Sequence, residues 1–335
     1  MTLATDATTT QSVNRTMQIV LFALIPGVLV FIYQNGWGSA INITLAIVSA
    51  MAFESIAQLL RKRRITDALS DYSAIVTGIL IALCLPPLLP WWIPVLASGF
   101  AILLAKHLFG GIGYNLFNPA MAGYAIILIS FPRDMSLWPI QPDSLSTSFT
   151  FAIDRTFNGG LAQYPQWDAL TGATSLDLHR TLRLEGKALE ALSEQARGSF
   201  GAKHAEWVNL AYLVGGLWLL RMRVISWHIP LGFLTTLLVA TLLHNALTDN
   251  ISVAINMFGG ATMLCAFFIS TDPVSAAASN RGRIIYAALT GVLVYLIRAH
   301  GAYPDSIAFA VLLSNCIVPS IDRLDIWLSS VSHAR

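Results

Sequence analysis

The chain has 335 residues, of which 55% are hydrophobic and 11% are charged, and its mean hydropathy is +0.64. Because about a quarter of the residues in soluble globular domains are charged, this composition excludes an ordinary soluble protein and indicates an integral membrane protein. The net charge of +2 gives no support for a nucleic-acid partner.

Two groups of apolar segments follow one another along the chain, and many approach the roughly 20 residues that a helix needs to cross a bilayer. The first group comprises 17–33, 41–60, 73–85, 91–108 and 119–131. The second comprises 207–220, 229–247, 253–269, 284–297 and 307–319. We therefore predict an all-α polytopic membrane protein with about ten transmembrane helices. Because each group holds an odd number of spans, the groups are expected to form two inverted five-helix repeats.

The polar segments complete this division of the chain. It gives a tail at 1–16, a first repeat at 17–131, a loop at 132–206, a second repeat at 207–322 and a tail at 323–335. Basic residues cluster in the loops on one side, and Arg298 is the exception. By the positive-inside rule, both termini are expected in the cytoplasm and the long loop on the opposite side. Within that loop, mixed charges and spaced leucines at 182–196 predict a surface helix.

Two Xaa-Pro pairs predict helices that begin inside the membrane. Asn118 and Asp272 are good N-caps, and Pro119 and Pro273 would occupy the first helical positions. Helix starts at bilayer depth leave backbone donors that are tolerated only against protein or a lined cavity, and such places are natural ligand sites. The alternative is that these side chains, with nearby Asn115, only satisfy broken helix ends.

Glu54 lies inside the second predicted span. An intramembrane carboxyl is a functional candidate by default, here for a proton or sodium path that also includes Asp272. The alternative is a structural pair with Arg61 or Lys62 near the helix end. The cysteines Cys84, Cys265 and Cys316 lie in apolar runs without metal-ligand spacing, so we expect buried structural thiols and no metal site.

The segment "DALTGATSL" in the long loop has an unusual pattern. Asp168 precedes Thr171, and the small residues Gly172 and Ala173 leave the hydroxyl of Thr174 open to a bulky reactant. The pattern Asp-x-x-[Ser/Thr]-Gly-Ala-[Ser/Thr] is expected by chance in a chain of this size on the order of once in a thousand. A turn or a helix N-cap is the alternative interpretation of any single threonine.

This segment resembles the motif at which a dedicated transferase links FMN, through its phosphate, to the last threonine. The segments "VTGILIALCLPP", "FGGIGYNLFNPAMAGYAIILISFP", "STDPVSAAASNRGR" and "AYPDSIAFAVLLSNCIVPSID" resemble the RnfD/NqrB family of membrane flavoprotein subunits. RnfD proteins belong to Rnf electron-transport complexes, and the more distant NqrB proteins belong to the sodium-pumping NADH:quinone oxidoreductase. The resemblance covers 17–322 in the same order.

The resemblance implies a covalent FMN phosphodiester on Thr174, on the extracytoplasmic face. It also implies flavin contacts from Asn115 and Asn118, and from Thr77 and Gly78. Members of the family differ in whether they hold a second, non-covalent flavin such as riboflavin. The residues agree with this chemistry, because an isoalloxazine ring needs an apolar slot with a few hydrogen-bond donors.

The function implied is that of one electron-carrying subunit in a translocase of the cell inner membrane, with the long loop in the periplasm. Electrons would pass between ferredoxin and NAD pools, coupled to Na⁺ or H⁺ transport, and the chain would not be catalytic alone. Because it lacks a nucleotide-binding glycine fingerprint, NADH and ferredoxin would be handled by the other Rnf subunits (RnfA, RnfB, RnfC, RnfE and RnfG), with the FMN-bearing RnfG as redox neighbour. The alternative from a different class is a secondary transporter or channel.

Overall fold

A computed structural model describes residues 2–139, 148–159, 171–185, 198–248, 252–301 and 305–333. The first helices are α1 (Thr2–Asn35), α2 (Trp37–Leu60), α3 (Ile65–Leu69), α4 (Ser73–Cys84), α5 (Trp92–Gly99), α6 (Pro119–Ser130), α7 (Pro132–Met135) and α8 (Phe149–Asn158). The later ones are α9 (Ser175–Leu184), α10 (Ala205–Arg221), α11 (His228–Thr248), α12 (Val253–Phe258), α13 (Thr262–Leu264), α14 (Asn280–His300) and α15 (Ile307–His333). Helices α5 and α13 continue as π-helices, Phe100–His107 and Cys265–Ile269.

Strand structure in the described residues is a single short antiparallel pair. Strand β1 (Trp138–Pro139) pairs with β2 (Thr171–Gly172), with Trp138 opposite Gly172 and Pro139 opposite Thr171. Strand β2 therefore forms the middle of the threonine motif, and it is tied to the segment that follows α7.

Five helices in the part of the chain that the structure describes are long and apolar enough to cross a membrane: Val13–Asn35, Trp37–Leu60, His228–Leu247, Asn280–His300 and Ile307–Leu328. Shorter apolar helices cover Ser73–Cys84, Trp92–His107 and Pro119–Ser130. The prediction of an all-α, multi-pass membrane protein is confirmed at this level.

The chain forms two compact units. Unit 1 comprises Met1–Asn115 and Pro119–Gly172, and unit 2 comprises Leu116–Asn118 and Ala173–Arg335. The chain passes from one unit to the other inside the threonine motif, between Gly172 and Ala173. The predicted loop at 132–206 is therefore shared between the two units.

Unit 1 is built around a close approach of α4 to α2. A Cβ atom at Gly78 would lie 2.8 Å from the Ala46 carbonyl oxygen, so glycine allows the two backbones to touch. Ser98 Oγ donates to the same Ala46 carbonyl at 3.2 Å. On α2, Asn42 Nδ2 donates to the Pro86 carbonyl at 2.8 Å, which fixes the proline turn after α4.

Several predicted boundaries differ from the structure. Helix α1 reaches back to Thr2, through residues predicted as a tail, and α15 continues through Pro319 to His333. Apolar periodicity does not detect polar helical extensions, and a proline inside a helix removes only its own backbone donor while the flanking turns persist.

Other differences concern glycine, proline and cysteine. The predicted span 253–269 is interrupted after α12 because Gly260 adopts φ +54, a left-handed conformation that glycine permits. The short helix expected at Pro273 is only a turn, closed by the Ala276 amide on the Asp272 carbonyl at 3.2 Å. Cys316 is exposed, in contrast to the buried thiol predicted there.

Candidate functional site

Thr174 is the N-cap of α9. Its Oγ1 donates to Asp177 Oδ2 at 2.7 Å and accepts from the Asp177 backbone N–H at 3.2 Å. The Thr174 backbone N–H donates to the same carboxylate oxygen at 3.2 Å. This reciprocal arrangement is a capping box. The helix-cap interpretation of Thr174 is therefore correct, and the half-buried hydroxyl lies where a helix N-terminus favours an anion.

Three side chains of α9 fix the position of the helix. Leu176 is buried in a cluster with Ala202 and Ile255. The side chain of His179 accepts from the Ser252 backbone N–H at 3.1 Å through Nε2, and Arg180 Nε donates to the Gly301 carbonyl at 3.0 Å. The Thr174 hydroxyl is thus presented from a fixed element.

The buried guanidinium of Arg298 and Leu176 of α9 both approach Gly260. A Cβ at Gly260 would lie 2.8 Å from Leu176 Cδ1 and 3.4 Å from the terminal NH2 of Arg298. Arg298 donates to the Asn256 carbonyl at 2.7 Å and to Thr262 Oγ1 at 3.0 Å. Arg298, the exception to the charge distribution in the sequence, is therefore a buried structural group and not a loop charge.

Asp305 adds a buried carboxyl group to this region. Burial raises the pKa of the Asp305 carboxyl, while Arg298 acts in the opposite direction and Asp177 reinforces the rise. The Asp305 carboxyl is therefore influenced both by Arg298 and by Asp177, the residue that caps α9 together with Thr174.

The remaining motif residues have different surroundings. Asp168 lies outside the described residues. Thr171 is buried in β2, Gly172 is half-buried, and Ala173 is exposed. Ala173 before Thr174 is exposed, and access of a bulky reactant to the Thr174 hydroxyl stays a prediction.

Asn118 is buried at the start of α6, and Pro119 is the first helical residue, as predicted. Its Nδ2 donates to the Ile269 carbonyl at 3.2 Å, at the end of a π-helix. With the Asn315 amide oriented to satisfy its neighbours, the Asn315 oxygen accepts from the Asn118 backbone N–H at 3.0 Å, and its nitrogen donates to the Ser275 carbonyl at 3.2 Å. Asn315 was not singled out from the sequence, because a lone asparagine in an apolar helix has no distinguishing spacing.

Asp272 closes its own turn. Its Oδ2 accepts from Ser275 Oγ at 2.7 Å and its Oδ1 from the Val274 backbone N–H at 3.4 Å. This geometry matches the alternative in which Asp272 satisfies a broken helix end.

The other predicted flavin contacts lie in unit 1. Asn115 is buried, and Thr77 Oγ1 donates to the Ser73 carbonyl of its own helix at 2.9 Å. Gly78 is the point of contact with α2 described above. Thr77 and Gly78 thus have clear structural roles, and their contact with a flavin stays a prediction.

Glu54 is the centre of a buried charged network in unit 1. Its Oε2 accepts from Lys106 Nζ at 2.8 Å, and its Oε1 accepts from His107 Nε2 at 2.9 Å. Gln58 Nε2 also donates to Oε1, at 3.2 Å. The alternative in which Glu54 pairs with Arg61 or Lys62 is wrong. The carboxylate instead pairs with Lys106 and His107, at the end of the π-helix that continues α5.

The network extends in two directions from Glu54. Lys106 Nζ also donates to Ser73 Oγ at 2.8 Å, and that hydroxyl donates to Asp71 Oδ1 at 2.6 Å. Arg61 lies 3.2 Å from His107 Nδ1. Because a guanidinium can only donate, Nδ1 accepts and Nε2 carries the proton that is donated to Glu54. Lys106 was not singled out from the sequence, because a basic residue near the end of a predicted span suggests a loop charge, but it is buried.

These features define a multi-pass membrane protein with a buried ion pair in unit 1 and a threonine-capped helix in unit 2. Comparison with known proteins is more specific. Residues 2–326 match the NQR2, RnfD, RnfE family, and the chain belongs to that family.

Similar proteins cover almost the whole chain. A protein of Aeromonas salmonicida (strain A449) is 47% identical over 321 residues, which are 92% of this chain and 91% of that protein. A protein of Escherichia fergusonii is 45% identical over 325 residues, and one of Salmonella typhimurium is 44% identical over 322 residues, each with 92% of both chains covered. All three are named as the D subunit of an ion-translocating oxidoreductase complex. The resemblance inferred from the sequence is confirmed.

Proposed function

We propose that this chain is the FMN-carrying membrane subunit of an Rnf-type, ion-translocating oxidoreductase complex. Its relatives carry the name of the D subunit of an ion-translocating oxidoreductase complex and match it over nearly its whole length. The structural observation that carries the proposal is the Thr174 hydroxyl, half-buried at the start of an anchored helix and preceded by an exposed alanine.

The residues around Thr174 fit a phosphodiester. The backbone donors and the dipole of the α9 N-terminus stabilise an anion, and the buried guanidinium of Arg298 approaches Gly260, which Leu176 of α9 also contacts. The Asp177 carboxylate is the opposing element, because esterification removes the proton that Thr174 now donates to it. We therefore expect Asp177 to turn away from the modified side chain, and the backbone donors of α9 to face the phosphate.

FMN would supply one- and two-electron transfer at this position. The chain's own contribution is to present the attachment atom from a fixed helix and to prevent loss of the cofactor to the medium. Thr77, Gly78 and Asn115 in unit 1, and Asn118 in unit 2, are each proposed as flavin contacts, and riboflavin is proposed as a second, non-covalent flavin. Thr171, Gly172, Ala173 and Asp168 are proposed as the motif that the attaching enzyme recognises.

The proposed arrangement in the cell follows from the sequence. About ten transmembrane helices in two inverted repeats would place both termini in the cytoplasm and the segment 132–206 in the periplasm, across the cell inner membrane. Electrons would pass between ferredoxin and NAD pools through the other subunits (RnfA, RnfB, RnfC, RnfE and RnfG). The FMN-bearing RnfG would be the neighbour on the periplasmic side.

Glu54 is proposed as part of the path for Na⁺ or H⁺. The hydrogen-bonded series from Glu54 through Lys106 and Ser73 to Asp71 supports proton movement, since each atom in it is 2.6 to 2.8 Å from the next. Asp272 is the second candidate, although its present bonds are those of a turn.

Two substitutions at one position test the covalent link. Thr174→Asn keeps a good N-cap but has no hydroxyl, whereas Thr174→Ser keeps both. We expect a flavin-fluorescent band on a denaturing gel for Thr174→Ser, and no band for Thr174→Asn at equal protein yield. The peptide that contains residue 174 should carry the mass of FMN in the native chain. Fluorescence that persists in Thr174→Asn would show that the flavin is attached to another residue. A native peptide without added mass would favour the alternative of a secondary transporter or channel.

A further inference from the structure

Helix α8 has three distinct faces. Its buried face carries Phe151, Ala152, Arg155 and Thr156. Phe151 and Ala152 pack with Leu88 in one cluster, and burial lowers the pKa of the Arg155 guanidinium, with the charge of Asp134 opposing the shift. This face attaches the helix to unit 1.

A second face is polar. Thr150 and Asn158 are exposed, and Asp154 between them is half-buried. Asn158 Nδ2 donates to Asp154 Oδ1 at 2.8 Å, so the face is linked along its length. These side chains are suited to water.

The third face is apolar and exposed. Phe149, Ile153 and Phe157 follow one another at intervals of four residues, so they lie within about 80° on the helix surface. Their exposed fractions are 50%, 37% and 50%. A stripe of this kind on a solvent-facing helix would be unfavourable, because each large apolar side chain kept from water gains about 1.5–3 kcal/mol.

Both ends of α8 are fixed to the ends of apolar helices that carry tryptophan. Phe149 packs edge-to-face on Trp37, the first residue of α2, with ring centroids 5.5 Å apart. The Thr156 carbonyl accepts from the Trp91 backbone N–H at 3.0 Å, directly before α5. Trp37 is 51% exposed and Trp91 is 45% exposed. Tyrosine and tryptophan concentrate at the membrane–water boundary, and this tendency favours the same level for α8.

We propose that α8 is an interfacial helix, and that acyl chains of the bilayer cover its Phe149–Ile153–Phe157 face. The stripe is continuous with the aromatic ends of the membrane-crossing helices, and the polar face lies beside it at the next positions around the helix. One face of α8 then contacts protein, the second contacts lipid and the third contacts water. This arrangement explains the burial or exposure of every residue from Phe149 to Asn158. Lipid would then hold the start of the long loop at a fixed depth.

Spin labels at four positions test this assignment in the full chain. The background is Cys316→Ser, since Cys84 and Cys265 are buried. Labels are attached to Ile153→Cys and Phe157→Cys, and to the matched controls Thr150→Cys and Asn158→Cys on the polar face. All four side chains are exposed, so the packing of α8 is retained.

The protein is reconstituted in vesicles of phosphatidylethanolamine and phosphatidylglycerol, once alone and once with its copurifying subunits. Collision rates are measured with oxygen, which partitions into lipid, and with a water-soluble nickel chelate. We expect the ratio of oxygen to nickel collisions to be several-fold higher at 153 and 157 than at 150 and 158 in both samples. Equal nickel access at all four positions would overturn the proposal. Loss of both reagents at 153 and 157 only with the other subunits present would assign the stripe to a protein partner instead.

Discussion

Substitution of Glu54 should reveal how strongly the buried network of unit 1 is coupled. The side chains of Glu54 and Lys106 are 2% and 4% exposed, so each charge depends on the other. Removing one partner of such a pair costs about 3–5 kcal/mol, because the remaining charge stays buried without compensation. Glu54→Gln keeps an oxygen acceptor for Lys106, so we expect a loss near the lower limit, about 3 kcal/mol.

The double variant Glu54→Gln/Lys106→Met gives the decisive comparison. Removing both charges avoids the unpaired partner that either single variant leaves, so the double variant should be more stable than the sum of the two single effects predicts. Contacting residues show coupling energies of about 0.5–3 kcal/mol. The assay is the shift in apparent Tm in detergent for wild type, Glu54→Gln, Lys106→Met and the double variant. Additive shifts would refute the assignment of Lys106 as the coupled partner of Glu54.

The same four proteins separate a structural role from ion transport. If Glu54 belongs to the ion path, the double variant should recover stability but not transport in vesicles that contain the assembled complex. Recovery of both would leave the pair as a structural element of unit 1.

Three further results are expected. Gly78→Ala should destabilise the protein by about 1–3 kcal/mol, because a Cβ there meets the α2 backbone, and an unchanged Tm would show that α2 and α4 separate freely. Arg298→Met should cost about 1–3 kcal/mol for each carbonyl left unpaired and increase amide exchange in α12, and unchanged exchange there would contradict the described bonds. A membrane-permeant maleimide should modify Cys316 in the native protein and reach Cys84 and Cys265 only after denaturation, as intact mass would show. Early reaction of either buried thiol would contradict its placement.

The membrane class and the approximate position of most spans could be predicted from apolar segments, because a bilayer requires long runs of such residues. The interruption at Gly259–Gly260 could not, because both glycines lie within an otherwise apolar run. Helix α8 was also missed. Its ten residues are too few for a membrane span, and they lie in the long polar break, although their amphipathic pattern could have revealed the helix.

The candidate site was predictable where a local pattern marks it. Thr174 and the start at Asn118–Pro119 follow from short motifs and from capping preferences. The capping partner Asp177 could have been found, since an acidic residue three positions after threonine is a known signature. The pairing of Glu54 with Lys106 depends on residues 52 positions apart, and no local pattern reports such a contact.

The π-helical stretch Phe100–His107 determines the directions in which the side chains at its C-terminal end point. A π-helical turn corresponds to one residue inserted into an α-helix, and here it leads two consecutive side chains, Lys106 and His107, to opposite oxygens of one carboxylate. Deleting a single residue from this stretch would relax it to an ordinary α-helix and rotate both side chains by about 100° relative to Glu54. A shortened chain would therefore keep every charged residue of the network and still lose the network itself.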